Sequence, residues 1–431
     1  MVKRILVGLI IVLLVGTLGL FAIAWRPAIE PVAMPAPSSF AADLVGKGEV
    51  LAAAGNCASC HTVNGGAPYA GGRGLESAFG TIYSPNISPD PETGIGRWSE
   101  AAFARALHQG VARDGSHLFP AFPYDHFTKV RDDDVHALYA FLMTRPAVNA
   151  EARANTLPFP LNIRALQAGW KFLFFKRGAF VADSGKSEEW NRGAYLAEGL
   201  GHCAACHTPR NRMGAEKSSE AYAGAIIGGW FAPALNSTPT APVPWTQDEL
   251  FGYLRSGATA LHGSATGAMS EVVHDSLAKL PDADIHAIAA YFADISGAAS
   301  TQALVEPAVV KAMAFEHRAT DASDDAGANL YAAACASCHY NLGAPPLAER
   351  PELALNSALS APGPSNLIHV ILDGVGRRDG MPILLMPGFA SAMSDADIAR
   401  LAAYLRRTRT EQPAWSDLEA TVSKIRGQGG A

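Results

Sequence analysis

The sequence is short of charge. Asp, Glu, Lys and Arg make up 17% of its 431 residues, against about 25% in an average soluble chain. It has no excess of positive charge either: 34 basic against 40 acidic residues leave a formal net charge of −6, so no basic surplus supports a nucleic-acid partner. Hydrolytic chemistry finds no constellation of nucleophile and base. Beyond residues 5–25 no apolar run is long enough to span a bilayer. Cysteine is scarce, six in all, and its placement says more than its number. What the chain has in quantity is hydrophobic residues, 49%, enough for several packed cores, and this excludes global disorder.

Lys3 and Arg4 precede an apolar run of 21 residues, 5–25. A helix rising about 1.5 Å per residue needs about 20 to cross the hydrocarbon layer. The expectation is an uncleaved transmembrane helix; a long cleaved signal ending at Ala22-Ile23-Ala24 is the alternative. In either case the two basic residues hold the N-terminus in the cytoplasm and everything after Arg26 is exported. A second apolar and aromatic stretch, residues 169–176, is flanked by Lys171 and Lys176. It reads as interdomain core, with a membrane-surface role as the alternative.

The six cysteines fall as Cys57-Ala58-Ser59-Cys60-His61, Cys203-Ala204-Ala205-Cys206-His207 and Cys335-Ala336-Ser337-Cys338-His339. Every pair has two residues between and a histidine after. That spacing is the pattern of covalent haem attachment: two thiols bond the two vinyl groups, and the histidine is held beneath the iron as proximal ligand. Structural zinc usually needs two cysteine pairs, or a pair plus two spaced histidines, per site. A redox dithiol needs a βαβ context. Disulfides suit an exported chain but leave the histidines unexplained. The reading is therefore three covalently bound haem c groups.

The attachment cysteines Cys57, Cys203 and Cys335 stand 146 and 132 residues apart, so a repeated unit should surround them. Phe103, Leu107 and Gly110 recur as Leu250, Leu254 and Gly257, and again as Leu367, Ile371 and Gly374. This is one face of a helix ended by glycine. Trp98 and Trp245 precede the first two copies by five residues. A later helix repeats as Val135, Leu138, Phe141, Leu142; Ile285, Ile288, Tyr291, Phe292; and Ile398, Leu401, Tyr404, Leu405. Asp134, Asp284 and Asp397 stand before them, favourable at a helix N-terminus. Ser394 and Asp397 have capping-box spacing. Each unit reads as an attachment helix, a middle helix, an extended loop and a closing helix, so the fold class is all-α.

Met269 and Met386 each lie twelve residues past a helix-stopping glycine. A thioether is the usual sixth ligand of an electron-transfer haem, and these two are the expected ligands of the second and third irons. Met213 competes for the second, Met381 and Met393 for the third. In the first unit that position is Phe122, which cannot bind iron. Four residues later stands His126, and neutral imidazole is a good iron ligand. His61 and His126 are the expected pair for the first haem. His108, His117 and His136 are rivals, Met143 reads as packing, and a five-coordinate iron is the remaining option.

With these residues in hand, the sequence resembles the membrane-bound triheme cytochrome c subunits of bacterial periplasmic dehydrogenases. Beyond the attachment sites the resemblance rests on Phe79-Gly80-Thr81-Ile82-Tyr83-Ser84-Pro85-Asn86-Ile87, Thr93-Gly94-Ile95-Gly96, Gly110-Val111-Ala112-Arg113-Asp114-Gly115, Gly267-Ala268-Met269 and Met386-Pro387. It implies three tandem cytochrome c domains after one transmembrane helix. The first-domain loop reads Pro120-Ala121-Phe122-Pro123-Tyr124-Asp125-His126-Phe127, where quinoprotein alcohol dehydrogenase members carry Met in place of Phe122. That version is similar to the cytochrome subunits that accompany molybdenum hydroxylases acting on aldehydes or N-heteroaromatics such as nicotinate.

The function so implied is electron transfer from a periplasmic dehydrogenase, a molybdenum hydroxylase with an iron–sulfur subunit, to ubiquinone or a terminal oxidase. One alternative is the cytochrome subunit of a quinoprotein or flavin alcohol or sugar dehydrogenase. Another is a peroxidase-like haem enzyme using an open first iron. The expected limits are an anchor 1–26, linker 27–42, first domain 43–148, interdomain segment 149–184, second domain 185–298, linker 299–324, third domain 325–410 and tail 411–431.

Overall fold

The computed structural model describes all residues except 1–2, 9–15, 17–18, 20–23, 238–239, 317–324, 340–345, 349–350, 377–385 and 429–431. The chain divides into two compact units. One comprises residues 1–183 with 195–202, the other 184–194 with 203–431. The expected third domain and all of the expected second domain except residues 195–202 lie in the second unit.

One expectation is corrected at the outset. Among the described residues no helix is long and apolar enough to cross a membrane. Of the apolar run 5–25, residues 5–8 belong to a helical stretch 3–8, and most of the rest lies outside the described residues. The expected transmembrane helix ahead of the three domains is therefore not found among the described residues.

The first unit contains α1 (Ala42–Ala54), α2 (Cys57–His61), a hairpin of β1 (Gly74–Ser77) and β2 (Gly80–Tyr83), α3 (Glu100–Gln109), α4 (Tyr124–Phe127), α5 (Asp132–Met143) and α6 (Gln167–Phe174). The middle helix α3 begins where the Ser99 side chain accepts from Ala102 N–H and ends on Gly110 at φ 59°. Only glycine adopts that left-handed backbone without strain. The closing helix α5 buries Val135, Leu138, Phe141, Leu142 and Met143. Each contributes roughly 1.5–3 kcal/mol of apolar transfer, and Met143 is core, as its sequence context indicated. The interdomain segment adds to this core: Trp170 and Phe175 meet the buried Tyr124 ring edge-on. Lys171 is buried too, donating from Nζ to the carbonyls of Gln109 and Gly110 and to His117 Nδ1. Phe172 and Leu173 on the same helix remain exposed.

The second unit repeats the pattern twice. Its elements are α7 (Glu188–Glu198, whose last turn belongs with the first unit), α8 (Ala204–His207), the hairpin β3 (Ala225–Ile227) and β4 (Trp230–Ala232), α9 (Gln247–Ser256), the short hairpin β5 (Ala258–Thr259) and β6 (Gly263–Ser264), α10 (Gly267–Glu271) and α11 (Asp282–Ser296). After these come α12 (Val305–Glu316), α13 (Ala326–Ala334), α14 (Ala336–His339), α15 (Ser365–Asp373), α16 (Asp395–Arg409) and α17 (Leu418–Gln428). Thr246 caps α9 through Glu249 N–H, and Gly257 ends it at φ 82°. The capping box expected at Ser394 and Asp397 is formed in both directions. The all-α expectation omitted the three two-stranded hairpins, whose strands run two to four residues.

Three glycines set the helix crossings. A methyl group added to Gly48 on α1 would collide with the Ala137 carbonyl and Phe141 Cβ of α5. Gly193 on α7 meets the Ala287 carbonyl of α11 in the same way, and Gly327 on α13 meets the Arg400 carbonyl and Tyr404 Cβ of α16. Each opening helix therefore crosses its closing helix at backbone contact, which no side chain beyond hydrogen permits. Ion pairs repeat beside two of the crossings: Lys47 to Asp134 at 2.6 Å, and Arg192 to both oxygens of Asp284 at 2.7 and 2.9 Å.

Within the second unit, the side chain of Asn366 on α15 pairs with both backbone groups of Phe231 on β4, each at 2.8 Å. Next to it His369 stacks on Trp230 at 4.3 Å between ring centroids. The middle helix of the third repeat thereby completes a strand edge of the second.

Candidate functional site

Each Cys-x-x-Cys-His motif sits on a short helical turn: Cys57–His61 in α2, Cys203 leading into α8, and Cys335 leading into α14. The six cysteines are free thiols with no disulfide among them. Burial first, and the neighbouring thiol second, push Cys57 and Cys203 up to about 12 and Cys335 to about 11. They are protonated at neutral pH, unlike the activated thiolates of redox dithiols.

The histidine that follows each pair is oriented by a proline carbonyl. His61 Nδ1 lies 2.8 Å from Pro85 O, His207 Nδ1 2.7 Å from Pro233 O, and His339 Nδ1 3.3 Å from Pro351 O. A neutral ring that donates Nδ1–H keeps its lone pair on Nε2, the tautomer an iron ligand requires. Burial lowers the pKa of His61 and His207, against the pull of that same carbonyl hydrogen bond, so both rings are neutral. Buried paired thiols beside an Nε2-directed imidazole fit covalent haem.

The first two sites match in detail that sequence reading missed. Thr62 Oγ1 accepts from Tyr69 N–H, and Thr208 Oγ1 from Tyr222 N–H. Both tyrosines are left-handed, at φ 64° and 58°. Gly71 N–H donates to the His61 carbonyl as Gly224 N–H does to that of His207. Arg73 holds the Ser59 carbonyl at 2.7 Å and Arg210 that of Ala205 at 2.8 Å, the same place in the motif. The available signal was the pair Tyr69-Ala70-Gly71 and Tyr222-Ala223-Gly224.

The expected sixth ligands occupy less uniform settings. Met269 is half-buried on α10, directly after the second hairpin. Met386 is half-buried and bridges by backbone to Val375. In the first two repeats the residue after the stop glycine pairs six positions on, Val111 with His117 and Ala258 with Ser264, whereas Val375 pairs with Met386 eleven positions on. The common spacing of twelve is therefore not a common backbone geometry. His126 is buried on α4 with Nδ1 3.0 Å from the Glu198 carbonyl, and its ring faces His202 edge-on. Among its rivals, His108 bonds the Val130 carbonyl, His117 the Ala24 carbonyl, and His136 the Glu100 carboxylate. Met213 is exposed, Met393 packs against the third-repeat core, and Met381 lies outside the described residues.

Comparison with known proteins agrees with this geometry. The cytochrome c family model matches residues 45–146, and that of cytochrome c oxidase, cbb3-type, subunit III matches 322–405. A nicotinate dehydrogenase subunit of Pseudomonas putida is 46% identical over 96% of this chain, which spans only 35% of that protein's length. The fructose dehydrogenase cytochrome subunit of Gluconobacter japonicus is 39% identical over 86% of this chain and 80% of its own. The gluconate 2-dehydrogenase cytochrome c subunit of Pantoea cypripedii is 36% identical over 92% and 90%. Attachment motif, oriented histidine and near-full-length likeness lead to one conclusion: the chain belongs to the family of cytochrome c subunits of dehydrogenases, with covalently bound haem c as its cofactor.

Proposed function

We propose that this chain carries three haem c groups and passes electrons from a dehydrogenase catalytic subunit to ubiquinone or a terminal oxidase on the periplasmic side of the cell. The observation that carries the reading is the repeated proximal arrangement. The motif at Cys203 lies outside the two matched family segments, yet its histidine is held by a proline carbonyl as in the first. Bound haem c supplies one-electron chemistry between two iron oxidation states. The chain's own residues do the rest. Cys57 and Cys60, Cys203 and Cys206, and Cys335 and Cys338 would form the thioethers. His61, His207 and His339 would hold the irons through Nε2, and Met269, Met386 and His126 are the residues that would complete their ligand sets. The experiment is a pyridine haemochrome assay on exported, matured protein, which should count three haems per chain; a count of two refutes the reading.

The relatives that this chain covers nearly end to end act with fructose and gluconate dehydrogenases by name. This favours a catalytic partner of the alcohol or sugar dehydrogenase kind over the molybdenum hydroxylase. A second reading, a nicotinate-type dehydrogenase with an iron–sulfur subunit, is favoured by the 46% identity to the nicotinate dehydrogenase subunit. Mixing the oxidised holoprotein with each class of catalytic subunit and its substrate discriminates them: the true partner reduces the haems within turnover time.

A further inference from the structure

The hairpin β5–β6 carries two polar side chains that the protein leaves unanswered. His262 is 3% exposed, and neither ring nitrogen has a hydrogen-bond partner among the described residues. Thr259, in the same hairpin, is also buried with its hydroxyl unpaired. The imidazole does not rotate freely: it lies flat on Trp245, with centroids 3.5 Å apart and planes within 10°. Tyr253 closes on the same indole edge-on at 5.3 Å. The outer side of the hairpin is occupied, because Leu261 packs against Val243, Ala312, Phe315, Ala354 and Leu355. The hairpin hangs from Gly257 at the end of the middle helix and runs directly into α10, which carries Met269.

A fixed, buried imidazole with both nitrogens unpaired is a costly arrangement unless a polar group completes it. Burial holds its pKa down to about 3, so the ring is neutral and offers one N–H and one lone pair. A haem attached at Cys203 and Cys206 would bring two carboxylates of its own. We propose that His262 is a haem-positioning residue, donating a ring N–H to a propionate of the haem attached at Cys203 and Cys206. This rests on the reading that the second motif holds haem. The first repeat has no counterpart: counted from the stop glycine, and with the bridges Val111 to His117 and Ala258 to Ser264 in the same register, the position of His262 is Gly115.

The test uses the full-length holoprotein. His262→Phe keeps a flat ring on Trp245 and removes both nitrogens; His262→Gln keeps a donor. The Phe variant should retain three haems while one midpoint potential falls, since an unscreened carboxylate favours the ferric state. The other two potentials should stay put. The propionate bending mode of one haem should shift in the resonance Raman spectrum, and the Gln variant should recover most of both changes. Unchanged potentials and Raman modes in a three-haem Phe variant overturn the proposal and leave the haem reading intact. If the Phe variant fails to mature, nitrogen-15 histidine NMR of the reduced wild type decides. A ring N–H of His262 slow to exchange supports the assignment, and rapid exchange of both ring positions overturns it. Two haems in the wild type, with Cys203 and Cys206 unmodified, sink the haem reading itself.

Discussion

The proximal and distal sides of the repeats differ in how strictly they are copied. On the proximal side the first two sites agree atom for atom in their supports: a proline carbonyl on the histidine, a threonine hydroxyl under a left-handed tyrosine, and an arginine on the motif carbonyl. On the distal side Phe122, Met269 and Met386 stand at the same count from their glycines but in different backbone settings. Attachment and histidine orientation obey one chemistry and tolerate little change. The sixth ligand sets the potential of a haem, so on the proposed ligands divergence on the distal side would tune the carriers while the proximal side stays fixed.

The largest expected effect breaks the proximal half of this comparison. Replacing Cys203 and Cys206 together by Ala should lower the haemochrome count from three to two, and an unchanged count would remove the second site from the set. Gly48→Leu and Gly193→Leu should each cost about 3 kcal/mol or more, because backbone faces backbone at the crossing. Chemical unfolding followed by haem absorbance measures this, and a loss under about 1 kcal/mol would mean the helices can part cheaply. His126→Ala sharpens the distal half: on the proposed ligands, the first haem should lose bis-histidine absorption and magnetic signals, while the signals of methionine-ligated haems stay unchanged. In the parent protein that first haem should titrate at the lowest potential, lacking thioether stabilisation of Fe(II). Rapid stoichiometric binding of carbon monoxide or cyanide to the parent would instead support the open-iron enzyme.

Smaller effects are expected at the ion pairs. Removing Arg192 strands a buried Asp284 carboxylate and should cost about 1–3 kcal/mol. Lys47→Ala should cost less, since Lys47 is 47% exposed and its charge is screened. Burial tends to raise the Asp134 carboxyl, but hydrogen bonds and charge from Lys47 and Tyr195 outweigh it and hold the group below its ordinary value. Its contribution is then complete above about pH 4, the unfolded carboxylate range, and disappears as pH falls through the lower folded value. Acid unfolding of the first unit should flatten when Asp134 is replaced by Asn.

What was legible in the sequence followed from locality. The motif at Cys57 and the 3.6-residue periods of Phe103–Leu107 or Ile398–Leu405 need only neighbouring residues, and the helices stand where those periods put them. The supports of the site were hidden because they are partnerships across the chain. Pro85 matters for a carbonyl 24 residues from His61, and nothing in its side chain announces it. Gly48 matters for what it lacks, against a carbonyl on another helix. At the N-terminus the hydropathy of residues 5–25 led to a spanning helix that is not found among the described residues.

Asn366 ties the fate of two repeats together. A side chain from a helix has taken the place of a neighbouring strand, answering both main-chain groups of Phe231. The amide of Phe231 is therefore locked by a part of the chain more than a hundred residues away, and it should exchange with deuterium only when α15 itself lifts off. The second and third repeats, though each holds its own motif, would then melt in a single step.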